Sequence, residues 1–171
     1  MNRGVLYYLI IPLLIIAGLF QSTAASRIEM GGVKPDLVLL LVVAGTLIYG
    51  ARSGVTWAFI GGICLDIFSG GPMGASSLAL IAAAMTAGLG HRTLSRYNLL
   101  EPIGAIIAGT AIYSTVYLSI LLLMHLLDVA QYTSPPWSTV QYVVMPAIAY
   151  NTAVMVFLMP LLNQVPESQD I

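Results

Sequence analysis

Six apolar runs, separated by short stretches rich in Gly, Ser, Pro and charge, divide this 171-residue chain. A membrane crossing takes roughly 20 helical residues to cover roughly 30 Å of hydrocarbon, and the runs predict spans over 5–25, 36–51, 53–69, 74–91, 102–127 and 140–162. The second and third are short, so the flanking Gly, Ser and Ala residues are counted into them. The two form a tight hairpin through Gly50-Ala51-Arg52-Ser53-Gly54. Pro12 interrupts the first run without ending it, because neighbouring helices satisfy the freed carbonyl. Pro102 marks the start of the fifth, since a helix accepts proline in its first turn. A cleaved signal peptide would also carry Arg3 ahead of an apolar run and small residues at Ser22-Thr23-Ala24-Ala25. The length of the run and the spans after it favour a retained first span. The expected fold is a single all-α polytopic membrane domain over 1–171, with no loop long enough for an extramembrane domain.

Composition agrees: 58% of residues are apolar and 8% charged, against about 45–50% and about 25% in soluble domains. A water-soluble globule is excluded. Six Lys and Arg against seven Asp and Glu leave a net charge of −1, with no basic run that would hold nucleic acid or a cluster of anionic headgroups. A lone Cys64 permits no internal disulfide and no metal cluster. With six spans, Arg3, Arg52, Arg92 and Arg96 fall on one side, and Arg27 and Lys34 on the other. The positive-inside rule then puts both termini in the cytoplasm. Tyr7, Tyr8, Tyr49, Tyr97, Tyr132, Trp137 and Tyr142 lie near span ends, where interfacial aromatics belong.

Helices in lipid gain nothing by hiding apolar side chains from an apolar solvent, so they associate through small residues that let backbones approach. Gly50, Gly54, Ala58, Gly62, Asp66 and Gly70 recur every four residues, as do Ala75, Ala79, Ala83 and Ala87, and each set shares one helix face. Gly104 with Ala108 and Ala105 with Gly109 make a shorter ladder. Packing inside the bundle is the expected use; docking of another protein's helix is the alternative. Asp66 lies on the small-residue face, and an acid there costs about 2.5–3.5 kcal/mol on insertion scales. It is expected to be buried against protein or to cap the fourth helix, ahead of any transported-ion or proton role. Span hydroxyls such as Thr46 and Thr115 can bond back to their own helix. Asn151 cannot satisfy its amide that way and is expected to bond across helices. Tyr113 and Tyr117 share a face of the fifth span, as bonded core residues or as cavity lining.

Catalytic signatures are not apparent. His-Glu-x-x-His is absent, and a pairing of Ser76 with His125 rests on topology alone. Asp66 has no second span aspartate, and there is no phosphate-binding glycine loop with its lysine. Neither an enzyme nor a bound cofactor is expected.

The sequence Lys34-Pro35-Asp36-Leu37, an apolar run to Arg52-Ser53-Gly54, then Gly62, Leu65-Asp66 and Ser69-Gly70-Gly71-Pro72-Met73-Gly74 resembles the MreD family of rod shape-determining membrane proteins in order and spacing. Pro146 and Asn151 resemble its C-terminal pattern, and Met73 replaces a more usual leucine, a volume-conserving change. The resemblance implies a non-enzymatic component of the bacterial inner membrane and of the cell-elongation machinery. It implies MreC as partner through a single membrane helix, and through it MreB, RodA and a class B penicillin-binding protein. It also implies a distant fold likeness to the substrate-binding subunits of energy-coupling-factor vitamin transporters. A vitamin-type binding subunit is therefore the rival reading. The Ala-x-x-x-Ala docking pattern typical of those subunits is missing from the first span.

The motif has a physical reading of its own. Pro35 breaks the chain at Lys34 and starts the second span, and Asp36 in the first turn suits the helix dipole. Gly70 and Gly71 allow positive φ in a turn that Pro72 fixes.

Overall fold

Apolar sequence without β-branched alternation builds helices throughout the described parts of the computed structural model, residues 3–23, 35–90, 100–129 and 138–162. They are α1 (Arg3–Thr23), α2 (Leu37–Tyr49), α3 (Ala51–Ser69), α4 (Ala75–Gly90), α5 (Leu100–Leu126) and α6 (Met145–Leu162). A π-helical turn, Val140–Val144, leads directly into α6. Three helical stretches are long and apolar enough to cross a membrane: Ala51–Ser69, Leu100–Leu126 and Val140–Leu158. Leu9–Thr23, Leu37–Tyr49 and Ala75–Leu89 are shorter and apolar.

The shortest helix lies at the centre. α2 contacts α1, α3, α4, α5 and α6, and eight of the nine positions from Val38 to Thr46, all but Leu41, are buried. A helix apolar on every side belongs inside a bundle, and 13 residues give only about 20 Å of length. The longer α5 carries most of its surface outward, with Ile107, Leu122, Leu123 and Leu126 exposed. Such residues suit contact with lipid.

The small-residue ladders are spent inside. Gly54 faces Thr46 of α2, Gly61 faces Val38 and Leu14, and Gly62 lies directly on the Ser77 backbone of α4. A bond from the Ser77 hydroxyl to the Phe59 carbonyl (3.1 Å) ties the same crossing. Ala75, Ala79, Ala83 and Ala87 are at most 3% exposed, which leaves the α4 ladder no surface for a foreign helix. Gly104, by contrast, is exposed, and an added Cβ would meet nothing within 4 Å. Gly104→Ala is expected to raise stability by about 0.5 kcal/mol through helix propensity, measured by thermal unfolding of the purified protein. Gly45→Ala should do the reverse, at about 2 kcal/mol, because its Cβ would overlap the ring of buried Trp57. That ring sits edge-on to Tyr49 at 5.5 Å, and its buried indole N–H has no partner among the described residues. The unmet bond costs about 1–3 kcal/mol, which burial of so large a ring offsets.

Four local expectations need correction. The α2–α3 hairpin turns at Gly50 alone (φ 82°), and Arg52, Ser53 and Gly54 are already helical. A single glycine suffices because its left-handed φ reverses the chain in one residue. α5 is already helical at Leu100, two residues ahead of Pro102. Pro35 precedes the helix, and Asp36 is the cap of α2 and not part of its first turn. In the α3–α4 turn the positive-φ glycines are Gly70 (67°) and Gly74 (91°); Gly71 instead lies in close contact with α5, where an added Cβ would be 3.0 Å from the Tyr117 hydroxyl.

Candidate functional site

Polar groups gather at the end of the bundle that carries the α1–α2, α3–α4 and α5–α6 connections. Asp36 is a capping residue: its Oδ1 accepts the Leu39 N–H (2.9 Å), satisfying one of the free donors that open every helix. The same Oδ1 accepts from the Gln21 amide of α1 (3.2 Å), and Gln21 Oε1 accepts the Val38 N–H (3.3 Å). From the other side, Asn151 of α6 accepts the Asp36 backbone N–H at 2.9 Å and donates to the Thr110 hydroxyl of α5 at 3.3 Å. The start of α2 is thereby bonded to α1 and α6, and through Asn151 to α5. An amide is suited to this position because it offers donor and acceptor together.

Asp66 does comparable work at the next turn. Its carboxylate, 1% exposed, accepts the Gly74 N–H at 2.6 Å and the Ser76 N–H at 3.1 Å. An acid near the end of α3 thus caps α4, where the dipole favours negative charge. Gly70 closes α3 in the left-handed conformation, its N–H donating to the Asp66 carbonyl, and the Pro72 carbonyl accepts from Ala75.

Beside the Asp36 cap and the α3–α4 turn lies a cavity of about 370 Å³, lined from α1 through α6. Tyr113 and Tyr117, stacked with centroids 6.0 Å apart and planes 15° from parallel, form part of one wall, and Tyr113 faces the Ser76 side chain. Ser114 and Thr110 continue that wall, and the π-helical turn supplies Val143 and Val144 opposite. Wide turns of this kind recur at functional sites.

The motif residues do not form one cluster. Asp36 and Asn151 meet across 115 positions, and Asp66, Ser69, Gly70, Gly71, Pro72 and Gly74 make one turn beside them. Arg52 and Gly54 are at the far end of α3, with Arg52 exposed and Gly54 against Thr46. Gly62 lies between, at the α3–α4 crossing. Lys34 lies outside the described residues. Gln21 and Thr110 belong to the site without having been expected there. Gln21 carried a signal, because an amide inside an apolar run cannot satisfy itself. Thr110 carried none: Thr46, Thr56, Thr86, Thr115 and Thr152 all bond back four residues, and sequence does not distinguish Thr110 from them.

Asn151→Leu would strand the Asp36 N–H and remove the link to Thr110. A loss of about 2 kcal/mol is expected in reversible unfolding of the purified protein, with Asn151→Asp intermediate because it keeps the acceptor.

The site offers hydrogen bonds and capping; among the described residues no three His, Cys, Asp or Glu side chains group as metal ligands would. No curated protein and no solved structure gives a significant match to the chain. The Asp36 cap, the Asp66 turn and the Asn151 crosslink nonetheless fall within a recognised pattern: the family model described as rod shape-determining protein MreD matches residues 2–165, so the chain belongs to the MreD family.

Proposed function

We propose that the protein is a non-enzymatic scaffold of the bacterial cell-elongation machinery, spanning the inner membrane six times with both termini in the cytoplasm. It binds the membrane helix of MreC, and through MreC it helps to position or activate peptidoglycan synthesis by RodA and a class B penicillin-binding protein alongside MreB. Family membership supports the shape-determining role. The observation that carries the scaffold reading is the use of the motif's acids: the carboxylates of Asp36 and Asp66 accept backbone N–H groups at helix starts. A motif built to fix how helices meet serves assembly. Because the α3 and α4 ladders are consumed internally, MreC must use an outward apolar face, such as Leu9, Leu13, Ile16 and Phe20 of α1 or the exposed side of α5.

Co-expression and purification test the proposal. MreC should remain bound in detergent and after transfer to bilayers; its loss from both would overturn the reading. The cavity favours one rival, a small-molecule-binding transporter subunit, which purification with a stoichiometric vitamin would establish instead.

A further inference from the structure

We infer that the corner between the end of α5 and the α3–α4 turn seats the partner's membrane helix, an apolar α-helix supplied by MreC. The inference rests on the proposed MreC partnership and names its seat on this protein.

The shape of the bundle asks for protein here. α5 has 27 residues, about 40 Å, against roughly 30 Å of hydrocarbon. The Tyr117 hydroxyl lies beside Gly71, 3.0 Å from where a Cβ would stand. Helical side chains lean toward the N-terminus, so Gly71 is level with Tyr117 or below it. Residues 118–126 then carry α5 past the turn by about 13 Å, or about 10 Å at a tilt of 40°. Along that overhang Leu122, Leu123 and Leu126 are exposed, and on the turn Ser69, Gly70 and Met73 are exposed.

Either placement in the membrane leaves a surface that lipid does not cover well. With the overhang in hydrocarbon, the turn lies below the membrane surface, where lipid-exposed irregular backbone is not tolerated. With the turn at the surface, the leucines of the overhang stand outside the hydrocarbon as an apolar patch. A protein helix laid against the corner answers both, because it brings a satisfied backbone and an apolar face.

The corner also has room for it. A cavity of about 460 Å³ is lined by Phe59 of α3, Met73 of the turn, Leu78 and Ile81 of α4, and Ile120 and Met124 of α5. No charged side chain is among its described lining residues, so it suits a large apolar side chain of the incoming helix and penalises a charged one. Methionine on two of its walls adapts to the shape inserted. Ile120, Leu123 and Met124 fall at i, i+3 and i+4 on one face of α5, the spacing that a neighbouring helix packs against.

The test joins retention to position. The full chain is co-expressed with MreC, with Met73, Leu78, Leu123 or, on α1, Ile16 replaced singly by the photo-crosslinker p-benzoylphenylalanine, and the complexes are irradiated in bilayer nanodiscs. Crosslinks to the membrane helix of MreC are expected from Met73, Leu78 and Leu123, at least about tenfold above those from Ile16. Leu78→Trp, which fills the cavity from α4, should weaken MreC binding at least about tenfold, whereas Ile16→Trp should leave it unchanged. Met124→Trp fills the cavity from α5 and serves the same purpose should the first variant not fold. Three results would each overturn the inference while leaving the MreC partnership in place: retained MreC that crosslinks from Ile16 and not from the corner, corner crosslinks to lipid alone, or undiminished binding by a folded cavity-filling variant. Failure of the unmodified chain to retain MreC would overturn both.

Discussion

Gly62→Leu should prevent accumulation of the folded protein, and Gly62→Ala should already cost on the order of 3 kcal/mol. A Cβ at this position overlaps the Cα and N of Ser77, which are backbone atoms of a packed helix and cannot rotate aside as a side chain can. Relief requires α3 and α4 to separate. Separation lengthens the Ser77–Phe59 bond, worth about 1 kcal/mol, and loosens the contact that keeps Ala75 and Ala79 buried. Size-exclusion profiles and thermal unfolding of the purified variants measure the effect. A Gly62→Ala protein as stable as the parent would show that the crossing is looser than the structure has it. Gly104→Ala is the internal control, being the same change on an open helix face.

Asp66→Leu should destabilise the protein by about 3 kcal/mol, despite making α3 more apolar. The insertion gain of losing an acid, about 2.5–3.5 kcal/mol, is shared by the folded bundle and by its separated helices in the bilayer, and so largely cancels from folding. What remains is the loss of two buried acceptors, which leaves the Gly74 and Ser76 N–H groups unmet at about 1–3 kcal/mol each. Geometry changes the expectation for Asp66→Asn. With a single N–H to satisfy, an amide would replace the acid at little cost. Here two donors converge on two oxygens, and Asn would set its own NH₂ against one of them. The expected order of stability is parent, then Asn, then Leu. Unfolding measurements check it, and identical stability of Asn and parent would mean that one of the two bonds contributes nothing.

Much of this was legible because lipid leaves few ways to satisfy polar groups. Asp66 on a ladder of Gly and Ala had to meet protein, and it does so within the turn that follows its own helix. Asn151 had to find partners across helices, and they are Asp36 and Thr110. Other features depend on geometry that spacing does not encode. Gly70 and Gly71 are alike in sequence, yet only Gly70 takes positive φ, and Gly71 instead lies in close contact with a tyrosine of α5. The π-helical turn Val140–Val144 ends just ahead of Pro146, which has no N–H for the carbonyl four residues back and crowds it with its ring; the proline marks a disturbance, but sequence does not say that the helix widens there and so shapes the cavity wall.

In the proposed role this protein acts through contacts between membrane helices. The most direct measurement replaces the single membrane helix of MreC with an unrelated apolar helix of equal length and compares retention of the two forms on this protein in bilayer nanodiscs. Retention of native MreC and loss of the helix-swapped form is the predicted result. Equal retention of both, or of neither, would contradict it.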